Sequence, residues 1–323
     1  MISLKRRILE KVLPVFLAGS LSSGIINADE TVTLDRLLEN RVVETRGTNW
    51  KQPLELGGLY EEIASDLRES KPLIISTYAG LWPDGTEAES NLHWGNYYGP
   101  FTMFDRAGTD SHIAGNFEYH DWERVAFEKN EEDPVRTAVF RMSVEPNDFW
   151  RERGVDEEFD VYHVLQGYGA LRVADFYMSL NLKRDIGSVI ETREGNIDLR
   201  NARIIGYNGH NFHYDLSNDY FDTLNNCVMG TPDRKKGVFV IGCNTKRFFR
   251  DELIDNNIYG VAFTTSFMAP EGYNLLALTD GLIQGLSGEE LADKMDRSYR
   301  YFQVLGGQQR TGPLFVNHSK GLY

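Results

Sequence analysis

The chain has 323 residues, of which 41% are hydrophobic and 12% aromatic, so it can bury a substantial core without disulfides or a metal. Its formal net charge of −14 argues against nucleic-acid binding, because neutralising phosphates requires a clustered basic face, which the sequence lacks. We therefore expect one globular domain and no nucleic-acid partner.

The first 28 residues have the pattern of an export signal. Basic residues at 5–7 precede an apolar stretch from Val12 to Ile26, and Ala28 is followed by acidic residues. A basic start, an apolar core and a small terminal residue are typical of a secretory signal. We predict a signal peptide over 1–28, export to the periplasm or the cell exterior, and no stable membrane partner. An N-terminal membrane anchor and an amphipathic helix are the alternatives.

The segment from 29 to 305 is predicted to be one domain with an N-terminal extension, followed by a tail over 306–323. Helical spacing of apolar residues predicts two helices within residues 31–70. One carries Leu34, Leu37 and Leu38, and the other carries Tyr60, Ile63 and Leu67. The apolar, β-branched run Leu73–Tyr78 predicts a strand. Residues 80–133 show no period, and we expect long ordered loops with one hairpin there.

From residue 135 onward, predicted strands alternate with predicted helices. The strands are expected at Val135–Val144, Phe159–Leu165, a run ending at His210, a run ending at Cys243, and Tyr259–Thr264. The helices are expected at Asn147–Arg153, Leu171–Leu182, Leu216–Leu224, Lys246–Ile254, Tyr273–Gln284 and Glu289–Val304. This order predicts an α/β domain with a mostly parallel sheet sandwiched by helices.

His210 and Cys243 end two of the predicted strands. Because ligands bind at the carboxyl ends of parallel strands, this pattern can bring an imidazole to a thiol on neighbouring strands. Gly209 and Gly242 precede them and leave room for close substrate approach. A thiol nucleophile also needs donors for the oxyanion that it creates, and the main-chain N–H groups of Cys243 and Asn211 are the candidates.

An apolar strand that ends in His, followed by an apolar strand that ends in a small residue and Cys, resembles the caspase-like cysteine peptidases (caspases, metacaspases, gingipain, clostripain and the CHAT domain). The resemblance covers residues 135–305, and the segments 91–99, 208–211 and 264–271 are similar to a bacterial branch of that superfamily. It implies a caspase-like three-layer fold, with His210 as general base and acid and Cys243 as nucleophile. In the superfamily, Gly usually follows the His and Ala or Ser precedes the Cys, whereas Asn211 and Gly242 stand here.

Two further segments are candidates for substrate binding. The first contains Trp94, Tyr97 and Tyr98, and the second contains Thr265, Ser266 and Glu271. The aromatic segment has two interpretations, a substrate cleft beside the strand ends or a packed loop core. The second segment follows a predicted strand, so it either contacts substrate or turns into the next helix.

Several alternatives stay open. His213 competes with His210 for the role of base, and Asp215 either orients one of these rings or caps a helix. His210 is alternatively a structural histidine. Cys227 and Cys243 are the two cysteines of the chain, and in an oxidising compartment they can form a disulfide. In that case the protein is a catalytically inactive caspase-like binding protein.

No cofactor is expected. The sequence lacks the G-x-G-x-x-G dinucleotide fingerprint and the G-x-S-x-G elbow of serine hydrolases. The spacing of His93, His112, His120 and Asp121 matches no metal signature, so we predict no metal site. The sequence therefore favours an exported cysteine peptidase or related acyl hydrolase that uses a His–Cys dyad on a peptide or protein substrate.

Overall fold

The computed structural model describes residues 55–81, 88–129, 136–169, 189–211, 235–246, 258–303 and 313–316. The helices in these ranges are α1 (Leu56–Arg68), α2 (Pro100–Ala107), α3 (Ser111–Ala114), α4 (Asp148–Arg151), α5 (Gly272–Gln284) and α6 (Gly288–Phe302). The strands are β1 (Leu73–Leu81), β2 (Glu123–Lys129), β3 (Arg136–Val144), β4 (Phe159–Gly169), β5 (Val189–Thr192), β6 (Gly195–Asp198), β7 (Ile204–Gly209), β8 (Gly237–Ile241), β9 (Tyr259–Thr264) and β10 (Phe315–Val316).

Eight strands form one mixed sheet in the order β10-β9-β8-β7-β1-β4-β3-β2, and β5 and β6 form a separate hairpin. The centre of the sheet, from β9 to β4, is parallel, whereas β10, β3 and β2 pair antiparallel at the edges. The strands β7, β8 and β9 are buried along their whole length, as expected when both faces of a sheet are covered. The chain therefore has an α/β fold with a large, mostly parallel sheet flanked by helices, consistent with a three-layer arrangement.

Helices α1, α5 and α6 share an apolar core with one face of the sheet. Helix α1 buries residues that recur at spacings of three and four, namely Leu56, Leu59, Tyr60, Ile63, Ala64 and Leu67. Helix α5 is buried from Gly272 to Ile283 and ends at Gly285, which has a left-handed φ of 76°. Ser287 then caps α6 in a capping box with Glu290. A second apolar cluster, which includes Ile190 and Ile197 of the β5–β6 hairpin, lies on the other face.

Several predictions from the sequence are confirmed. The strand predicted at Tyr259–Thr264 is β9, and the helix predicted at Tyr273–Gln284 is α5. The helix predicted on Tyr60, Ile63 and Leu67 is α1, and these three side chains are buried. The strands predicted at Leu73–Tyr78 and Phe159–Leu165 lie within β1 and β4, which both extend further.

Other predictions are wrong. The described part of residues 80–133 is not a run of loops, since it contains α2, α3 and β2, although β2 does pair antiparallel with β3. Helix α2 buries Met103, Phe104 and Ala107, but eight residues are too few to give a clear helical period. The strand predicted at Val135–Val144 is present as β3, but it pairs antiparallel with β4, a direction that apolar patterning does not reveal. Strands β7 and β8 end at Gly209 and Ile241, short of His210 and Cys243.

Some predictions lie outside the described residues. These are the signal peptide over 1–28, the helix on Leu34, Leu37 and Leu38, the helices Leu171–Leu182 and Leu216–Leu224, and the helix Lys246–Ile254 beyond Lys246. Within the segment 306–323, for which we predict a tail, Phe315 and Val316 form the edge strand β10. In the described parts of the chain, no helix has the length and apolar character needed to cross a bilayer.

The buried side chain of His163 joins β1, β4 and α5. Its Nε2 lies 2.7 Å from Thr77 Oγ1, and its Nδ1 lies 3.0 Å from Thr279 Oγ1. Burial lowers the pKa of His163 to about 3. The ring is therefore neutral at ordinary pH, with both nitrogen atoms engaged by threonine hydroxyls.

We expect His163→Gln to lower the free energy of unfolding by about 1–3 kcal/mol at neutral pH, since two buried hydroxyls lose their partner. Below pH 6.5 the unfolded wild type binds a proton at this histidine and the folded protein does not, so the wild type loses stability as pH falls toward 3. The variant lacks this loss. The stability advantage of the wild type over the variant should therefore shrink by about 1.4 kcal/mol per pH unit as the pH falls from about 6 to about 4. Urea unfolding at several pH values measures both effects. Curves of the free energy of unfolding against pH that run parallel for the wild type and the variant would contradict the expected pH dependence.

Candidate active site

The carboxyl ends of β1, β7 and β8 lie side by side. Gly80 of β1 pairs with Gly209 of β7, and Asn208 of β7 pairs with Ile241 of β8. Beyond these pairs the two chains stay close, because a Cβ atom on Gly242 would lie only 2.6 Å from the carbonyl oxygen of Gly209. The residues that follow, His210 and Cys243, therefore emerge from adjacent points of the sheet.

Asn211 joins the two strand ends through its side chain. Its Nδ2 donates a hydrogen bond of 2.6 Å to the carbonyl oxygen of Cys243, and the residue is buried. This bond fixes the chain after β7 against the chain after β8. The role predicted for Asn211, a main-chain oxyanion donor, is separate from this side-chain contact and stays a prediction.

His210 is half-buried and its main chain is held by Tyr207. The Tyr207 hydroxyl donates to the carbonyl oxygen of His210 at 2.8 Å. The same hydroxyl lies so close to Gly80 and Gly209 that a Cβ atom on them would stand 2.2 and 2.7 Å away. Side chains at either glycine would displace the tyrosine, so both glycines are needed for this anchor.

Cys243 is a half-buried thiol in the turn after β8. Its Sγ donates to the carbonyl oxygen of Met268 at 3.6 Å. The next residue, Asn244, has a left-handed φ of 53°, a conformation that asparagine tolerates better than most residues, and its N–H donates to Ser266 O at 2.9 Å. These contacts place the thiol against the loop that follows β9.

Two buried threonines hold the turn of Cys243 against the end of β9. The Thr245 hydroxyl donates to Val240 O at 2.6 Å, and the Thr264 hydroxyl donates to Gly242 O. The amide of each threonine also donates to the other hydroxyl, at 3.1 and 3.0 Å. The main chain on both sides of Cys243 is thus anchored by hydrogen bonds that no solvent reaches.

The loop between β9 and α5 is fixed by two buried asparagines. Asn208 Nδ2 donates to Pro270 O at 2.7 Å. Asn274 Nδ2 donates to Ala269 O at 3.2 Å and to Glu271 O at 3.1 Å. The loop that borders Cys243 is therefore part of the rigid scaffold.

The aromatic candidates lie in different environments. Trp94 is buried in the core, stacks on Phe101 at 5.7 Å between ring centroids and packs against Gly167. Tyr97 is half exposed, and the Arg106 guanidinium lies 4.2 Å from its ring centroid. Tyr98 is partly buried against α5 and α6, where burial raises its pKa, and its carbonyl accepts from Gly272 N at 2.7 Å. Trp94 is thus a packing residue, and Tyr97 is the accessible member of the three.

The loop candidates after β9 also differ from one another. Ser266 lies beside the cysteine turn, because its carbonyl accepts from Asn244. The Thr265 hydroxyl is used by the β10 segment, donating to Pro313 O at 2.7 Å. Glu271 is buried, and its Oε2 accepts from Tyr273 and Gln303, each at 2.6 Å. Burial raises the Glu271 pKa and these two donors oppose the rise, so the carboxyl is a core group rather than a substrate contact.

His93 is a residue of this site that the sequence does not identify. In the sequence, His93 is a candidate only as a metal ligand, because nothing in a loop of irregular composition shows that the residue lies beside the end of β1. In the structure its ring is buried and Nδ1 lies 2.7 Å from Gly80 O. A second imidazole therefore stands at the same edge of the sheet as His210.

Three further candidates, His213, Asp215 and Cys227, lie outside the described residues. The competing base, its orienting acid and the disulfide therefore stay predictions. Within the described residues, no group of three or more His, Cys, Asp or Glu side chains is arranged to hold a metal. A cavity of about 890 Å³ lies at the opposite end of β1 and β4, and its lining contains no histidine or cysteine.

Compared with known proteins, the chain matches no family model, no curated protein and no solved structure. The chemistry of the site therefore has to be argued from its own residues. An imidazole beside a thiol can activate it as a nucleophile, and main-chain N–H groups at strand ends can stabilise an oxyanion.

We expect Gly242→Ala to destabilise the protein by about 1–3 kcal/mol, because the new methyl group meets the carbonyl oxygen of Gly209 at 2.6 Å and the main chain must shift. Gly57→Ala is the matched control, since Gly57 is exposed in α1 and a Cβ there meets nothing within 4 Å. The control should be neutral or stabilising by about 0.5–1 kcal/mol. Thermal unfolding of both variants measures the difference, and equal stabilities would contradict the contact.

Proposed function

We propose that the protein is a cysteine peptidase or related acyl hydrolase of caspase-like fold, with His210 and Cys243 as its dyad. The observation that carries this proposal is the position of the two residues, one and two places beyond the ends of adjacent parallel strands that Asn211 joins. Such a pair places a base beside a nucleophile at the edge of the sheet where α/β proteins bind ligands.

The order of the strands supports the same site. Numbered along the chain, the five parallel strands β1, β4, β7, β8 and β9 stand in the sheet as 2-1-3-4-5. The order reverses between β1 and β7, and ligands of open α/β sheets bind outside the carboxyl ends at such a point. His210 follows β7, so it lies at this reversal, with Cys243 one strand away.

In the proposed reaction, His210 takes the proton of the Cys243 thiol and Sγ attacks an acyl carbonyl carbon. The new C–S bond forms as the carbonyl π electrons move to the oxygen, which main-chain N–H groups of Cys243 and Asn211 stabilise. The bond to the leaving group then breaks as His210 returns the proton to that group. Water, deprotonated by His210, hydrolyses the acyl-thioester and restores the thiol.

The two amides that follow Cys243 are already used by the scaffold. The amides of Asn244 and Thr245 already donate to Ser266 O and Thr264 Oγ1. Neither can turn toward a substrate without breaking a hydrogen bond of the scaffold. Asn244 and Thr245 are therefore assigned no oxyanion role in the proposed reaction.

Gly242 departs from the Ala or Ser that usually precedes the nucleophile in the superfamily that the chain resembles. Here the departure has a local reason, because a Cβ at this position would lie 2.6 Å from Gly209 O. The close approach of the two strand ends is compatible with the proposed dyad.

A peptide or protein substrate is part of the proposal, as is export of the protein. Phe267 lies in the loop beside Cys243 and is 61% exposed. A large exposed apolar side chain next to a nucleophile offers a contact for an apolar substrate group.

The dyad predicts that Cys243→Ala abolishes labelling by a thiol-directed acyl probe without unfolding the protein. His210→Ala should slow labelling near neutral pH by about 100-fold or more, since the base is lost. Cys227→Ala is the matched control and should label like the wild type. Mass spectrometry of the labelled protein locates the adduct.

Undiminished labelling of the Cys243→Ala variant would refute the assignment of the nucleophile. An unlabelled wild type that becomes labelled only after reduction would favour the disulfide-bonded binding protein instead.

A further inference from the structure

A second histidine stands at the end of β1, next to His210. His93 Nδ1 lies 2.7 Å from Gly80 O, and its main-chain N–H donates to Asn91 Oδ1 at 2.9 Å. Gly80 is the register partner of Gly209, the residue that precedes His210. The two imidazoles therefore come from neighbouring strand ends.

The hydrogen bond to Gly80 determines which nitrogen of His93 carries the proton. A carbonyl oxygen only accepts, so Nδ1 is the N–H donor and Nε2 of the neutral ring is an acceptor. Burial lowers the pKa of His93 to about 4, the bond to Gly80 opposes the shift, and the charge of His210 lowers the pKa further. The ring is thus a neutral acceptor at ordinary pH.

The acceptor is not used by the scaffold. Within the described residues, Nε2 of His93 has no hydrogen-bond partner, although only 6% of the residue is exposed. Nε2 is not one of the fully buried polar atoms that lack a partner, so solvent reaches it and a water molecule can donate to it. His210 is the titratable group whose charge acts on it.

We propose that His93 is a positioning residue for His210, whose ring donates a hydrogen bond through one water molecule to His93 Nε2. The proposal rests on the proposed function. When His210 takes the proton of Cys243 it becomes an imidazolium, which donates from both nitrogens and is stabilised by a neutral acceptor. His93 thereby favours the thiolate–imidazolium pair over the neutral thiol and imidazole, in the way that an orienting group assists the base of a catalytic triad.

The test is the rate at which iodoacetamide alkylates Cys243 as a function of pH, in the full chain carrying Cys227→Ala so that one thiol reacts. In this reaction Sγ forms a bond to carbon and iodide leaves, so the rate reports the thiolate. The key variant is His93→Asn, because the asparagine amide nitrogen can replace Nδ1–H toward Gly80 O while Nε2 is removed. We expect this variant to react about tenfold more slowly than the wild type near pH 6.5. The two should react equally near pH 9.5, above the ordinary thiol pKa of about 8.5.

Two further variants separate positioning from support of the fold. His93→Gln places an amide oxygen near the position of Nε2 and should recover part of the lost rate near pH 6.5. His120→Asn is the matched control, since His120 Nδ1 also bonds a main-chain carbonyl, that of Phe117, but lies next to the edge strand β2. It should react like the wild type at every pH.

A His93→Asn profile identical to that of the wild type would overturn the proposal, and so would an equal loss of rate at both pH values, which indicates general damage. His210→Ala distinguishes this failure from that of the proposed function. If His210→Ala leaves the profile unchanged, the dyad itself is wrong; if it slows alkylation near pH 6.5 and His93→Asn does not, only the role of His93 is wrong.

Discussion

The close approach of the main chain after β7 to the main chain after β8 is the constraint on which the site depends. The oxygen of Gly209 occupies the position that a side chain on Gly242 would need, so main-chain atoms of the two strand ends touch at this point. Glycine adds conformational entropy to the unfolded chain and so weakens the fold locally. The hydrogen bonds of Asn211, Thr245 and Thr264 around the same turn offset that weakness and hold the thiol in one place.

Buried polar side chains carry much of this arrangement. Asn208 and Asn274 are fully buried, and each uses its amide nitrogen to hold a carbonyl of the loop after β9. Their Oδ1 atoms have no hydrogen-bond partner among the described residues. A hydrophobic residue at either position would pack without this unpaired oxygen but would release the loop. The position of the loop beside Cys243 is therefore maintained at some cost in stability.

The sequence predicts this fold where the periodic signal is long and the elements are regular. Helix α5 and strand β9 are found where apolar patterning places them. Patterning does not reveal strand direction, so the antiparallel edge at β3 is missed, and it does not reveal short helices such as α2. Apolar patterning places His210 and Cys243 near strand ends because the apolar runs stop there. It cannot show that the loop after β1 brings His93 into contact with the end of that strand. That contact joins residues distant along the chain and depends on the fold as a whole.

Two buried histidines of the chain differ in how their ring nitrogens are used. Burial lowers the pKa of His163 to about 3 and that of His93 to about 4, so lowered basicity does not distinguish them. The hydrogen bonds of their ring nitrogens do distinguish them. His163 has hydroxyl partners on both nitrogens, whereas His93 uses Nδ1 on the scaffold and keeps Nε2 at the edge of the sheet where ligands bind. A histidine whose hydrogen-bonding capacity is fully used inside the core stabilises the core. A histidine that is held by one nitrogen presents the other to its surroundings, and the neutrality of His93 keeps that nitrogen an acceptor, as the proposed role beside His210 requires.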